Sequence, residues 1–451
     1  MSLGMIGSDA FEYLSAEYER EWLASVYVDP AEMAAFASIR SMIIAGESGS
    51  GKSALRLMLT KRSPGADGPE RLAVEWRFAP SFQPLHGSRL VQAYADQVLA
   101  ACAETLLGAI GRWPHRFAAA HAWVQEAALE FIRRMLGAAL GRTAARIERE
   151  CPPEGAAILA VLQQASGGEP SIDHVPDAIF ELSAIVQDLG MAGIWVLVDR
   201  LEPWVGADAD QVAEAFRSML ETLTLFEAPG FAFKIFAPPE LAIRLTGVTG
   251  VGRRRLDVLR LTWGEADLTA IANARLRLAL GNARGALDTL VASALLGDRL
   301  RDYGGRNPRG WLELLRPFVE VCQGVDLPLS AEQFATIHER HPPFLRIDLR
   351  TDQVYLGEQE LIELQPSARR LLHYLYQNHE RIVPRAELYY CGQRNLPEVP
   401  AGAEEGWDGS PEWTSKLDTA LWRLRKQVEP DPQTPRYIIT TPTGVRLANI
   451  R

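Results

Sequence analysis

The sequence predicts an α/β protein in which helices cover a parallel sheet, followed by a helical region and a C-terminal α+β module. Short apolar runs at 41–45, 194–198 and 231–237 have the length and composition of buried strands, and helical segments alternate with them. This alternation favours parallel pairing, because parallel neighbours need long crossover connections. Alternation of apolar and polar residues after residue 344 predicts the separate module.

The N-terminal part is expected to begin with an acidic helical stretch at 10–35. The strand at 41–45 then leads into a glycine-rich segment at 46–53, and residues 54–60 continue as a helix. Residues 71–78 alternate between apolar and polar side chains, which is typical of a strand. A strand, a glycine turn and a helix are therefore expected near the start of the sheet.

The region from about 88 to 190 is rich in Ala and Leu at helical spacing, which predicts a helical insertion. Two further strands follow at 194–199 and 231–237, with a helix predicted between them at about 209–225. We therefore assign residues 1–262 to one domain that contains both the sheet and the insertion.

The rest of the chain divides into two predicted parts. Residues 263–343 have helical periodicity and are expected to form a helical region that ends in a linker. After it come short strands at 344–364, two helices, and a hairpin-like strand pair at 437–448. These elements predict a C-terminal domain over 344–451.

The composition indicates a globular protein with hydrophobic cores. Apolar residues make up 47% of the 451 residues and charged residues 23%. The longest apolar run is far shorter than the roughly 20 residues that span a bilayer, so no membrane partner is expected. The four cysteines are widely spaced without a CxxC pair, and the N-terminus lacks a signal-peptide pattern. These features predict a cytoplasmic protein.

The charge of the chain limits its partners. A net charge of −10 argues against a nonspecific coat for nucleic acid or anionic membrane, but it is compatible with one local DNA-binding face. Lysine is rare, so each one is of interest; the five are Lys52, Lys61, Lys234, Lys416 and Lys426.

Residues 46–53 match the P-loop pattern, with a predicted strand before them and a predicted helix after them. The pattern assigns nucleotide binding to Gly46, Glu47, Ser48, Gly49, Ser50, Gly51, Lys52 and Ser53. Glycines let successive N–H groups face one anion, and the helix N-terminus adds positive potential. Lys52 would reach the outer phosphates, and the Ser53 hydroxyl would bind Mg²⁺. The alternative is a Gly/Ser loop that only turns the chain.

Asp199, at the end of the strand at 194–199, is the second candidate metal ligand. A carboxylate there can hold the water shell of Mg²⁺; the alternative is an Asp that caps the following segment. Hydrolysis also needs a group that orients water, but Arg200 and not an acid follows Asp199 directly. Glu202 is the next acid and the candidate for this role, unless it is only a solvated loop residue. Slow or conditional hydrolysis is therefore expected.

Residues of roughly 17–340 resemble a signalling ATPase of the AAA+ and STAND type, in which a P-loop NTPase domain is followed by an α-helical lid. The segments 46–53, 194–199 and Asn307-Pro308-Arg309 carry this resemblance, and the last of them resembles a sensor-2 motif. The resemblance implies ATP and Mg²⁺ as cofactors and a slow ATP hydrolysis that acts as a switch.

The same resemblance implies roles for basic residues near the outermost phosphate. Arg309 would reach ATP from the lid and take part in catalysis, and the alternative is a surface arginine at a helix start. The triplet Arg253-Arg254-Arg255 is a second candidate. Lys234 lies on a strand whose position is similar to that of the sensor strand.

Residues 344–451 resemble the winged-helix domain of OmpR-type transcription regulators. The matching segments follow in order at 352–357, 361–375, 381–388, 417–426 and 435–447. The resemblance implies a winged helix-turn-helix fold, a recognition helix at 417–426, and duplex DNA as partner.

The predicted recognition helix has two distinct faces. Leu417, Leu421, Leu424 and Val428 recur at helical spacing and form an apolar face. The polar and basic residues that would contact phosphates and base edges fall largely on other faces; they are Lys416, Thr419, Arg423 and Lys426. The module has 14 basic and 15 acidic residues, a net charge of −1, and its wing tip, 441–443, carries no basic residue. Because attraction to DNA is mainly cationic, protein docking remains an alternative.

Together these features predict an ATP-dependent regulatory switch that controls a C-terminal winged-helix module, as a DNA-binding transcriptional regulator. One alternative is a STAND-like stress or conflict sensor whose winged helix docks proteins. Another is a DNA-remodelling ATPase, which would need an arginine finger supplied by self-association.

Overall fold

A computed structural model describes most of the chain. The described residues are 9–62, 64–65, 68–77, 88–163, 175–201, 228–248, 256–281, 285–291, 294–322, 327–348, 351–361, 364–402 and 412–450. They belong to two compact units. One unit is Ser15–Trp263, and the other combines Met1–Leu14 with Gly264–Arg451.

A parallel sheet forms the centre of the unit Ser15–Trp263. Its five strands lie in the order β4-β5-β6-β1-β7, and every neighbouring pair is parallel, which confirms the predicted sheet. A two-stranded antiparallel pair, β2 with β3, precedes β4. The strands are β1 (Met42–Ala45), β2 (Pro64–Gly65), β3 (Gly68–Pro69), β4 (Leu72–Trp76), β5 (Ile194–Val198), β6 (Phe231–Ala237) and β7 (Asp257–Arg260).

Strand β1 is an interior strand of this sheet. Ala45, its last residue, is in register with Ala237 of β6 on one side and Arg260 of β7 on the other. All residues of β1, β5 and β6 are buried, as expected for strands covered on both faces. Because all five strands are parallel, the segments that follow β1, β4, β5 and β6 begin at the same edge of the sheet.

The sheet is covered by the helices of the predicted insertion at 88–190 and by helices that precede and follow it in the chain. They are α1 (Leu23–Val26), α2 (Met33–Phe36), α3 (Lys52–Arg62), α4 (Ser88–Arg112), α5 (Pro114–Ala119), α6 (Ala122–Leu136), α7 (Leu140–Glu148), α8 (Pro153–Gln163), α9 (Val175–Asp188) and α10 (Pro239–Val248). Buried side chains of the insertion, such as Leu106 and Phe131, belong to the same apolar cluster as Val74 and Val196 of the sheet. The helical nature of 88–190 is thus confirmed for its described residues.

The prediction of a helical stretch over 10–35 is wrong in extent. Within it the structure has a 3₁₀ turn at Asp9–Phe11 and two four-residue helices, α1 and α2, joined by turns. Leu14 adopts a positive φ of 42°, which interrupts a right-handed helix, and Pro30 cannot donate the hydrogen bond that a continuous helix would require. The helix predicted at about 209–225 lies outside the described residues.

The Gly264–Arg451 part of the second unit begins with the helical region predicted for 263–343. Its helices are α11 (Glu265–Leu280), α12 (Leu287–Leu290), α13 (Leu295–Gly304), α14 (Pro308–Cys322) and α15 (Ala331–Arg340). Residues near the N-terminus join this unit, since Arg275 of α11 donates a 3.0 Å hydrogen bond to the carbonyl of Ala10.

The remaining elements of this unit form the predicted α+β module. They are β8 (Leu345–Asp348), β9 (Gln353–Leu356), β10 (Gln359–Glu360), α16 (Pro366–Gln377), α17 (Arg385–Glu387), a π-helix (Leu388–Gln393), α18 (Glu412–Val428), β11 (Ile438–Thr441) and β12 (Gly444–Leu447). Strands β8–β10 form one antiparallel sheet and β11–β12 form a hairpin. The apolar face predicted for α18 is buried in the core of the module, together with Leu372 and Leu375 of α16. In the described ranges of both units, no helix has the length and apolarity needed to cross a bilayer.

Candidate functional site

The loop Gly46–Ser53 connects β1 to α3 at the edge where the parallel strands end. The backbone N–H of Gly46 donates a 3.1 Å hydrogen bond to Ala237, the last residue of β6, so the start of the loop is attached to the neighbouring strand. Ligands of open α/β sheets bind outside the carboxyl ends of the strands. The loop therefore lies where such a sheet offers a binding crevice.

Glycine is needed at two kinds of position in this loop. Gly49 and Gly51 have φ values of +80° and +94°, a region that costs a residue with a side chain about 1–2 kcal/mol. At Gly46 the need is for space, because an added Cβ would lie 2.4 Å from the Ser50 hydroxyl oxygen. The glycines predicted from the motif thus permit a tight curl that other residues would disturb.

Lys52 lies inside this curl. Its side chain is only 4% exposed, and its ammonium donates hydrogen bonds of 2.8 Å to the Gly46 carbonyl and 3.0 Å to the Glu47 carbonyl. The loop thus surrounds a buried positive charge. Of the other predicted residues, Glu47 and Ser48 are exposed, and Ser53 is half-buried in the first turn of α3.

Trp263 supports the loop from the end of the segment that follows β7, a role that no pattern in the sequence indicated. Its indole N–H donates a 2.7 Å hydrogen bond to the Ser50 carbonyl, and its ring lies 3.7 Å from where a Cβ on Gly51 would be. The Ser50 hydroxyl is itself buried and has no hydrogen-bond partner among the described residues. An unsatisfied buried hydroxyl next to a cation is a polar group available to a ligand.

Asp199 follows β5 at the same edge of the sheet, as predicted. Its carboxylate is nearly buried, and one oxygen, Oδ2, accepts a 3.0 Å hydrogen bond from Nε of Arg56. The other oxygen, Oδ1, is buried and has no hydrogen-bond partner within the described ranges. A buried carboxylate oxygen without a partner is costly, so Oδ1 is a second atom suited to a ligand.

Arg56 was not singled out from the sequence, although one signal was present. It lies four residues after Lys52 on α3, and residues four apart on a helix share a face. That spacing places it on the side of α3 that carries Lys52. The acidic residues it contacts, Glu17 and Glu75, had no such signal because they come from distant segments.

The chemistry of this edge suits a phosphate group together with a hard cation. The curled loop supplies backbone N–H groups and the Lys52 ammonium for an anion. The Ser53 hydroxyl and Asp199 Oδ1 are the oxygen ligands that magnesium prefers. No group of three or more His, Cys, Asp or Glu side chains within the described residues could hold a metal ion by itself.

The other residues predicted for this site are placed differently. Glu202 and the triplet Arg253–Arg255 lie outside the described residues. Arg309 is the second residue of α14 and is half-buried, and its backbone N–H donates a 3.0 Å hydrogen bond to the Asn307 side chain. It belongs to the compact unit that contains Gly264–Arg451.

Lys234 is the middle residue of β6. It is in register with Met42, the first residue of β1. Ala237, which contacts the loop, lies three residues further along β6, so Lys234 is about 10 Å from it at roughly 3.3 Å per residue. Its ammonium is fully buried and donates a 2.8 Å hydrogen bond to the Arg40 carbonyl. Burial, aided by the charge of Arg71, lowers the pKa of Lys234 to about 7. Lys234 itself is therefore not positioned near the loop.

This pKa makes stability depend on pH. Below pH 7 Lys234 is charged in both the folded and the unfolded chain, and the folded protein bears the full cost of burying that charge. The cost disappears as the pH rises from 7 towards 10, and at about 1.4 kcal/mol per pKa unit it is of the order of 3–5 kcal/mol. We therefore expect Lys234→Met to stabilise the protein most below pH 7 and hardly at all near pH 10.

Denaturant unfolding of both proteins between pH 6 and 10 measures this difference. Lys416→Met is the matched control, because the Lys416 side chain is exposed on α18. A stability difference for Lys234→Met that stays constant over the pH range would contradict the expected titration.

The predicted DNA-contacting residues come together in the C-terminal module. Lys416, Thr419, Arg423 and Lys426 all line one groove of about 750 Å³ between α18, the N-terminus of α16 and the end of the π-helix. Arg394, which follows the π-helix, also lines it and was not singled out from the sequence. No acidic side chain is among the described residues that line the groove.

The neighbouring arginine of α18 has a structural role. Arg425 donates hydrogen bonds of 3.0 and 2.7 Å to the Ile438 carbonyl and one of 2.7 Å to the Thr440 hydroxyl. It therefore attaches the β11–β12 hairpin to α18.

No family model and no curated protein matches the chain.

Proposed function

We propose that this protein is a switch that binds ATP and Mg²⁺ and whose nucleotide state controls a DNA-binding winged-helix module. The observation that carries the proposal is the glycine-lined loop at the carboxyl edge of the parallel sheet, which encloses the Lys52 ammonium. The order of strand, loop and helix is the context in which the P-loop motif binds phosphates. The unit Ser15–Trp263 is, on this proposal, a P-loop NTPase domain.

In the proposed complex the triphosphate takes the place of the loop carbonyls as partner of Lys52. The backbone N–H groups of the loop donate to phosphate oxygens, with the N-terminus of α3 behind them. Magnesium in such sites keeps several waters and is held by one or two protein oxygens together with phosphates. Ser53 and Asp199 would be those protein ligands, and Glu202 and Arg309 remain the candidates for water orientation and lid closure.

The groove of the C-terminal module supports DNA as the second partner. Its four cationic side chains, Arg394, Lys416, Arg423 and Lys426, face one concave surface although the module as a whole has a net charge near zero. Such a local cationic surface can neutralise a few DNA phosphates even though the protein as a whole is not basic. The hairpin β11–β12, which Arg425 attaches to α18, would be the wing.

One observation favours protein docking as the second candidate function of this surface. Trp422 of α18 is 46% exposed, and the Lys426 ammonium lies 3.7 Å from its ring centre. Exposed aromatic residues next to basic ones are also common at protein interfaces.

A titration of labelled duplex DNA from the protein's own promoter region tests the proposal. We expect ATP with Mg²⁺ to change the dissociation constant of the wild type severalfold, and to have no effect on Lys52→Ala. Fluorescence anisotropy measures both, and two or three phosphate contacts predict a log–log salt slope of about −2 to −3. Equal affinity with and without ATP would contradict the switch. Absence of duplex binding even at low salt would instead favour protein docking.

A further inference from the structure

Arg56 pairs with three carboxylates near the proposed nucleotide site, and the phosphate loop itself does not require it. It lies on α3 with its side chain only 5% exposed. Burial of a guanidinium is costly unless carboxylates pair with it. The carboxylates that pair with Arg56 therefore indicate its role.

Three carboxylates from three separate segments surround Arg56. Nε contacts Asp199, Nη1 contacts Glu75 of β4 at 2.5 Å, and Nη2 pairs with Glu17. Each nitrogen of the planar guanidinium thus has its own acidic partner. A guanidinium held on three sides is fixed in orientation, and the carboxylate bound to its Nε is fixed with it.

The contact with Asp199 engages only one of the two carboxylate oxygens. Oδ2 accepts the 3.0 Å hydrogen bond from Arg56, and Oδ1 has no hydrogen-bond partner in the described part of the chain. Both side chains are almost fully buried, at 5% and 6% exposure, so water does not screen the pair strongly.

We infer that Arg56 is the positioning residue that orients Asp199 for Mg²⁺. This inference rests on the proposed function. Groups that hold a metal-binding side chain in place typically contribute 10- to 100-fold to metal affinity. Glu75 and Glu17 offset the positive charge of Arg56, so that the guanidinium holds Asp199 without leaving a net positive charge beside the cation.

A purely structural brace is the competing explanation, and the surrounding charges supply controls for it. Arg20 contacts Glu75 at 3.5 Å and Arg200 contacts Glu17 at 3.1 Å, so both belong to the same ion-pair cluster. Their side chains are 55% and 53% exposed. Neither ion pair involves Asp199, so Arg20→Gln perturbs the cluster without removing the contact that orients the carboxylate.

The test measures how strongly Mg²⁺ tightens the binding of fluorescent mant-ATP, as the ratio of dissociation constants in EDTA and in excess Mg²⁺. Arg56→Lys keeps the charge but loses the planar guanidinium that contacts three carboxylates, and we expect it to lower this ratio about tenfold. Binding in EDTA should change little. Arg20→Gln should leave the ratio within about twofold of the wild type. If Arg56 only stabilises the fold, Arg56→Lys should lower the melting temperature and leave the ratio of dissociation constants unchanged.

Two further variants complete the test. Arg56→Gln combined with Glu75→Gln conserves the net charge of the cluster and replaces Arg56→Lys if that variant does not fold. In an Asp199→Asn background, Arg56→Lys should cause no further loss, because the residue it positions no longer binds the metal. If the wild type binds mant-ATP but the ratio of dissociation constants is unchanged in either Arg56 variant, the positioning role of Arg56 is wrong and the proposed function still stands. A wild type that does not bind mant-ATP overturns the proposed function.

Discussion

Lys52→Ala is expected to weaken the binding of Mg-ATP at least a hundredfold. Lys52 is the only lysine or arginine of the Gly46–Ser53 loop, and its ammonium lies within the curl, 2.8 and 3.0 Å from two loop carbonyls. In the proposed complex it binds the outer phosphates instead. A hydrogen bond to a charged group contributes about 1.5–3 kcal/mol, and two such bonds account for a factor of 100 or more.

Isothermal titration calorimetry with Mg-ATP measures this loss. Lys61→Ala is the matched control, because Lys61 is on the same helix, α3, but at its far end, where its ammonium contacts the Arg20 carbonyl. The control should bind ATP as the wild type does. Unchanged affinity in Lys52→Ala would remove the basis for a nucleotide site at this loop.

The second large effect is expected for the basic groove. Replacing Arg394 and Arg423 together by Ala should weaken duplex binding about a hundredfold at low salt, because two charged phosphate contacts are lost. It should also make the log–log salt dependence shallower by about 2. Both side chains are exposed in the groove, so the fold should not change.

Anisotropy titrations at several salt concentrations check both expectations. Arg436→Ala is the control, since Arg436 is an exposed arginine of the same module that does not line the groove. If the double variant binds as tightly as Arg436→Ala, the groove is not the DNA-binding surface. A loss of affinity with an unchanged salt slope would show that the two arginines do not contact phosphates.

The parts of the site that were predictable are those encoded locally. The strand, loop and helix around Lys52 and the carboxylate after β5 follow from patterns of fewer than twenty residues, and the structure places both at one edge of the sheet. The faces of α18 were likewise predictable, since helical spacing alone separates Leu417 and Leu421 from Lys416 and Arg423.

The parts that were missed depend on contacts between distant segments. Arg56 and Asp199 are 143 residues apart, and Trp263 and Ser50 are 213 residues apart. Periodicity carries no information about which distant residues meet. Lys234 shows the same limit in another form: its strand was correctly predicted, but the register that places it near Met42 comes only from sheet pairing.

The hydrogen bonds of Lys52 also have a consequence for the ions of the surrounding solution. The carbonyls of Gly46 and Glu47 solvate the Lys52 ammonium, so an anion that binds this ammonium has to compete with both. Chloride or a single inorganic phosphate offers few contacts in return, whereas on the proposed function a polyphosphate would contact the whole curl and bring Mg²⁺ with it. If the loop binds ATP as proposed, phosphate or sulfate at millimolar concentration should therefore compete poorly with ATP.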